Sequence, residues 1–209
     1  MRIKVYIFVV LVLALLMGFL AAEGWADHSP EHEYQVKAAF LYNFVKFVDW
    51  PAEKIRDDDE PIIIGIIGKD PFGEAFDPIK GKKVKDKSIV IKRFKDFEGF
   101  KKANEADKSK SASKIEDLRK CHVLFICSSE KKNLSEIINS VKNDGVLTVS
   151  KMKGFLESGG IVNFLMEEKN VRFEINKAAA EKAGLKARSK LLRLAKRVVE
   201  EKSSGEAES

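Results

Sequence analysis

Ile62-Ile-Ile-Gly-Ile-Ile67 is an apolar run with no polar alternate. A strand covered on one face alternates apolar and polar residues, whereas an unbroken run marks a strand buried on both faces, as in parallel sheets. Working outward, Ser88–Phe94 reads as a second strand and Cys121–Cys127 as a third. Val146–Val149 reads as a fourth, entered through an Asp144-Gly145 turn. Helices are expected between them. Asp70-Pro71 has the form of an N-cap followed by proline at the first helical position. Lys95–Lys110 is a charged helix fading into the loop 109–113, and Ser128 or Ser129 caps a helix running through Val141. Lys151–Glu157 forms a short helical turn ended by Gly159-Gly160. Strands alternating with helices in this way predict a parallel sheet with right-handed crossovers.

The flanks complete the layout. Tyr34–Val48 is a helix apolar nearly all round, with lines Phe40-Phe44-Phe47 and Leu41-Val45-Val48 and one polar stripe of Gln35, Asn43 and Lys46. Trp50-Pro51 stops it, because the residue before proline avoids the helical region. Near the other end, Ile161–Met166 and Val171–Ile175 are joined by Glu167-Glu-Lys-Asn170 as a hairpin. Period-two alternation puts Val171, Phe173 and Ile175 on one face and Arg172 and Glu174 on the other. Asn176 caps the next helix, Gly184 closes it, and Arg188–Val199 reads as a last helix burying Leu191, Leu192, Ala195, Val198 and Val199. The expected fold is α/β: a single compact domain, a mostly parallel central sheet with a C-terminal antiparallel hairpin, and helices on both faces. Its boundaries are a signal peptide at 1–26, a linker at 27–33, the domain at 34–199 and an acidic tail at 200–209 with no apolar content to bury.

The signal peptide rests on Arg2 and Lys4, the apolar run Val5–Leu20 and the small-x-small site Gly24-Trp-Ala26, which predicts cleavage near Ala26 and export to the periplasm. An uncleaved membrane anchor is the competing reading, since the run is only slightly shorter than the ~17–25 residues a spanning helix needs. The net charge is +6, unevenly placed. Lys80–Lys95 holds eight basic residues against Asp86, and Lys186–Arg197 holds six against none. Such stretches suit nucleic acid, anionic lipid or plain solvation, and export makes nucleic acid a poor partner. Cys121 and Cys127 are the only cysteines. At opposite ends of one strand they stand ~20 Å apart, too far for a disulfide, so free buried thiols are expected.

No catalytic, metal or cofactor constellation emerges. His28 and His32 have a helical metal-ligand spacing but flank Pro30 in the expected linker. Cys121 and His122 are neighbours on a strand and point to opposite faces, which rules out a dyad between them. Gly65, Gly68 and Gly73 fit neither phosphate-loop spacing, and Ser128-Ser129 lacks a nucleophile elbow. Two surfaces are candidates for binding. Asn43 and Lys46 are either the solvent edge of their helix or the rim of a cleft, a candidate ligand site, that selects an anionic group or a partner. Phe155 and Leu156, with outward Arg172 and Glu174 and with Arg188 and Lys190, either form an apolar anchor rimmed by charge or, in the case of the apolar pair, cap the core.

Two blocks carry a family resemblance. Glu33-Tyr-Gln-Val-Lys-Ala-Ala-Phe-Leu-Tyr-Asn-Phe-Val-Lys-Phe-Val-Asp-Trp-Pro51 resembles the opening helix of the YfiR-like periplasmic proteins. Gly160-Ile-Val-Asn-Phe-Leu165, Val171-Arg-Phe-Glu-Ile-Asn176 and Gly184-Leu-Lys-Ala-Arg-Ser-Lys-Leu-Leu-Arg-Leu-Ala195 resemble its closing hairpin and helices. The resemblance covers roughly Glu33 to Val199 and implies an exported, non-catalytic α/β regulator, often dimeric. The best-understood member represses an inner-membrane diguanylate cyclase by binding its periplasmic part. That member relies on disulfides. Here Cys121 matches a family cysteine, but Lys69-Asp-Pro71, where a partner would stand, has none. The leading expectation is a periplasmic protein that restrains or senses for an inner-membrane signalling protein, a diguanylate cyclase or sensor kinase. A small-ligand binder is the second expectation and an unrecognised enzyme the third.

Overall fold

The computed structural model describes residues 30–55, 60–99 and 115–200. In chain order they form α1 (Pro30–Phe47), β1 (Val48–Asp49), β2 (Ile62–Ile67), β3 (Lys83–Val84), β4 (Lys87–Phe94), β5 (Val123–Ile126), α2 (Leu134–Val141), β6 (Leu147–Ser150), β7 (Val162–Glu167), β8 (Asn170–Asn176), α3 (Lys177–Lys182), β9 (Lys186–Ala187), α4 (Ser189–Leu192) and β10 (Arg197–Val199). A helical segment also spans 115–119.

The unbroken apolar run becomes the inner strand its pattern requires. Ile62, Ile64, Ile66 and Ile67 are buried, and β2 pairs in parallel with β4 on one side and β5 on the other. The eight strands run in the order β10-β8-β7-β6-β5-β2-β4-β3. From β4 to β7 every pairing is parallel, while β7/β8 and β3/β4 are antiparallel hairpins. Each hairpin turns on two residues at positive φ, Glu168-Lys169 (47° and 68°) and Lys85-Asp86 (50° and 64°), a conformation that matches the twist of the flanking strands. β1 and β9 form a separate two-stranded antiparallel sheet.

An apolar layer covers each face of the large sheet. On one face α1 lays Leu41, Phe44 and Val45 against Val162, Phe164, Phe173 and Ile175. Phe40, Phe44, Phe164 and Phe173 form an aromatic cluster with ring centroids 5.2–6.1 Å apart, a geometry that adds to the area each ring buries. On the other face Ile137, Ile138 and Val141 of α2 pack with Leu118, Cys121, Phe155 and Leu156.

Several expected elements differ. α1 starts at Pro30, so Pro30–Glu33 of the expected linker are helical, with proline in the first turn where its missing N–H costs nothing. Asp70 does not start a helix. It accepts from Phe72 N at 2.8 Å within its own turn, and the chain continues through turns into a short 3₁₀ segment, Asp77–Ile79. Ser128–Asn133 is likewise 3₁₀ before α2, with no side-chain cap. The last helix is the largest correction: α4 has four residues and Arg197–Val199 is a strand, parallel to β8. The open edge of β8 offers Val198 and Val199 a ladder, and β-branched residues fit a pleated surface better than a helix. Most of the charged helix expected at 95–110, the signal peptide and the tail from 201 lie outside the described residues.

Candidate functional site

In chain order the parallel strands run 2-1-3-4-5 across the sheet, counting β2 as first. Such sheets receive ligands beyond the carboxyl ends of the first and third strands, where the winding reverses. Here those ends belong to β2 and β5, and groups of the chain itself bond one another there. Lys69 N donates to Ser129 Oγ at 2.9 Å, and a Cβ added at Gly68 would run into that same oxygen. Asp70 Oδ2 accepts from Arg93 Nε at 2.6 Å. Glu130 Oε2 accepts from Phe97 N and from Asn133 Nδ2, both at 3.2 Å.

Farther along the same rim, β6 ends at Ser150 and delivers Lys151 to the first turn of α1. Glu33 takes an ion pair from Lys37, one turn on, and a second from Lys151 Nζ at 3.4 Å. Both ammonium groups stand over the Tyr34 ring, 4.5 and 4.9 Å from its centroid. Lys37 is 1 % exposed, and burial holds its pKa below the ordinary lysine range against the pull of Glu33. Burial pushes Glu33 up, but the hydrogen bond and charge of Lys37, with Lys151 behind it, leave its carboxyl below its usual value. Beside this cluster, Val36, Phe40, Met166 and Val171 floor a groove of about 280 Å³, rimmed by His32, Glu33, Lys169 and Arg172. Met166 is 48 % exposed there.

At the opposite ends of the strands, His122 latches two segments together. Its Nδ1 accepts from Ile63 N at 3.1 Å, so the proton sits on Nε2, which donates to Lys54 O at 3.2 Å. Burial lowers its pKa to about 4, helped by the Lys54 charge. Lys54 itself is lowered to about 8 by burial, its Nζ donating to Arg119 O. Cys121 faces the other way, its Sγ 3.4 Å from Asp117 O. Both cysteines are buried and free, and burial raises both thiols to about 12.

The residues singled out from the sequence do not form one surface. Phe155 (0 % exposed) and Leu156 (3 %) are core, because Gly160 leaves room for the Phe155 ring to fold back over it. They are removed from the docking surface. Arg172 is exposed on the hairpin, 4.0 Å from Glu167. Glu174 is paired with Arg197 at 2.8 Å, and that hydrogen bond holds its carboxyl below the usual range. Arg188 grips Asp49 with two nitrogens, at 2.6 and 3.0 Å, and Lys190 Nζ lies 5.0 Å from the Phe47 ring centroid. Asn43 is half-buried, and Lys46 is exposed with its Nζ 5.5 Å from the Tyr42 ring centroid. The Glu33–Lys37 pair escaped the sequence reading. An i, i+4 spacing of opposite charges on an otherwise apolar helix was the available signal.

The arrangement is that of a doubly wound α/β domain with hydrogen bonds of its own across the carboxyl ends of β2 and β5. The chain belongs to the YfiR/HmsC-like family, whose model matches residues 34–196. Members of that family are periplasmic regulators linked to cyclic di-GMP signalling. No curated protein matches the chain. Solved structures similar to it include these two. One is a conserved domain protein from Vibrio cholerae, 12 % identical over 79 % of this chain and 60 % of that one, with a TM-score of 0.48. The other is an ABC domain in complex with L-Trp from Streptococcus pneumoniae, 9 % identical over 80 % and 60 %, with a TM-score of 0.49. This chain thus spans 60 % of the length of either. Among the described residues no helix is long and apolar enough to cross a membrane.

Proposed function

We propose that this chain is a periplasmic regulatory binding protein that restrains or senses for an inner-membrane signalling protein, a diguanylate cyclase or a sensor kinase, by binding and without chemistry of its own. The family match over residues 34–196 carries this reading. The geometry supports it in two ways. At the carboxyl ends of β2 and β5 the protein's polar groups bond one another, and the neighbouring Cys121 and His122 are turned apart and held by separate partners. The docking surface that fits an apolar floor with a charged rim is the groove beside Met166 and Arg172, replacing the buried Phe155 and Leu156.

The test combines genetics with capture. Deleting the gene should raise cellular cyclic di-GMP if the partner is a cyclase, and tagged exported protein should enrich one identified signalling protein from solubilised inner membranes. Met166→Glu and Arg172→Glu should each lower that capture at least about tenfold, the loss expected when a central contact is truncated, with the thermal melt nearly unchanged. Unchanged capture by both variants removes the groove. Failure to enrich any cyclase or kinase removes the function.

A further inference from the structure

The two basic stretches of the sequence are about a hundred residues apart, yet the fold joins them. β1 pairs with β9 so that Asp49 stands opposite Lys186, and Arg188 closes on Asp49 from the same side. Lys85, at the tip of the β3–β4 hairpin, reaches Asp49 from the other stretch at 4.0 Å. Lys46 and Lys82 flank the Tyr42 ring, 5.5 and 5.7 Å from its centroid, and Lys190 covers Phe47. One face at the C-terminal end of α1 therefore gathers Lys46, Lys82, Lys85, Lys186, Arg188 and Lys190 around half-buried Tyr42 and Phe47. Asp49 is an acidic residue within this face, and Asp86 sits beside Lys85 in the hairpin turn.

We propose that this face docks on an anionic phospholipid surface. Four observations point to lipid over an acidic protein. Five of the six cations are lysines, compact point charges on flexible stems, a residue type depleted from protein interfaces where arginine is enriched. The single arginine is already held in a two-nitrogen grip by Asp49 and is not presented to a partner's carboxylates. The charges spread over α1, the β3–β4 hairpin and the β9–α4 segment instead of coming from one element. Finally, Tyr42 and Phe47 lie among them as amphipathic and apolar side chains of the type that settles at a headgroup boundary. The proposal goes beyond the regulatory reading and stands without it, since lipid binding is measurable with no protein partner present.

The experiment is co-sedimentation of the exported protein with vesicles of about one part phosphatidylglycerol to three parts phosphatidylethanolamine. Phosphatidylcholine vesicles serve as the neutral reference. Binding should appear only with the anionic vesicles and disappear as salt rises from about 0.05 M to about 0.5 M, where charges beyond a few ångströms are screened. Each lysine removed should weaken it about fivefold, so a Lys46→Gln/Lys82→Gln/Lys190→Gln variant should bind about 100-fold more weakly. A control removing the same charge beside α2, Lys131→Gln/Lys132→Gln/Lys142→Gln, should bind nearly as well as the parent. All six lysines are exposed, so the melts should be unchanged. Equal loss in both variants, equal binding to neutral vesicles, or no vesicle binding overturns the proposal. In the last case, capture of the cyclase or kinase that fails in the first variant alone would give this face to a protein partner.

Discussion

His122 should make stability depend on pH between about 4 and 6.5. The imidazole is 7 % exposed and neutral, joining Ile63 N to Lys54 O. Its pKa is about 4 in the folded protein against 6.5 for an ordinary histidine. Unfolding therefore takes up a proton whenever the pH lies between those values. Stability contributed by the neutral form is complete above about pH 6.5, falls as pH drops through the window, and levels off near pH 4. At 1.36 kcal/mol per pH unit the whole span is worth about 3 kcal/mol at most. Urea unfolding at half-unit steps from about pH 4.5 to about pH 7.5 measures it, with the share of the slope due to His122, taken as parent minus a His122 variant, approaching but not exceeding about 1.4 kcal/mol per unit. A His122→Gln variant should lose about 1–3 kcal/mol at neutral pH, through imperfect replacement of its two hydrogen bonds, and should lose the part of the slope that lies above about pH 5. If that variant keeps the slope of the parent, some other group carries the titration and the assignment of the latch is wrong.

Two further outcomes are expected. Phe155→Ala should destabilise by about 3–5 kcal/mol through the cavity it leaves under Gly160, while captured partner per folded molecule stays constant; a variant that melts like the parent and loses capture would return Phe155 to the surface. The thiols of Cys121 and Cys127, raised to about 12 by burial, should resist a disulfide reagent at pH 8 in the native protein and both react once it is denatured. Rapid native reaction of either one would contradict the burial.

How much could be read beforehand depended on whether the signal was local. β2 and the β7–β8 hairpin were legible because their patterns, an unbroken apolar run and a strict alternation of Val171, Phe173 and Ile175, state burial directly. Asn176 announced its cap, accepting from Ala179 N at 2.9 Å, and Gly184, at φ 74°, closes α3 as expected. The errors arose where a distant neighbour decided the outcome. Leu191 to Val199 has an acceptable helical face, and only the vacant edge of β8 turns its end into a strand. Phe155 and Leu156 looked exposed because the residues that bury them, Leu118 and those of α2, lie far away in sequence. The convergence of Lys85, Lys186 and Arg188 on Asp49 depends on the β1–β9 pairing, two residues long on each side and without any periodicity to detect.

The pairing of β10 with β8 also has a consequence for the order in which the protein is completed. A chain emerging from its N-terminus presents β8 well before Arg197–Val199 arrive, with α3, β9 and α4 coming between. During that interval the outer edge of β8 is a row of unpaired amides and carbonyls, the form of surface on which strands from other chains assemble. Glu174 and Arg172 face outward there, and Lys196 N later seals Phe173 O at 2.8 Å. The final residues of the domain therefore act as a guard that arrives last. Slow release of the chain, or a protease that clips it after Leu194, would leave a nearly finished sheet with an edge ready to recruit a copy of itself.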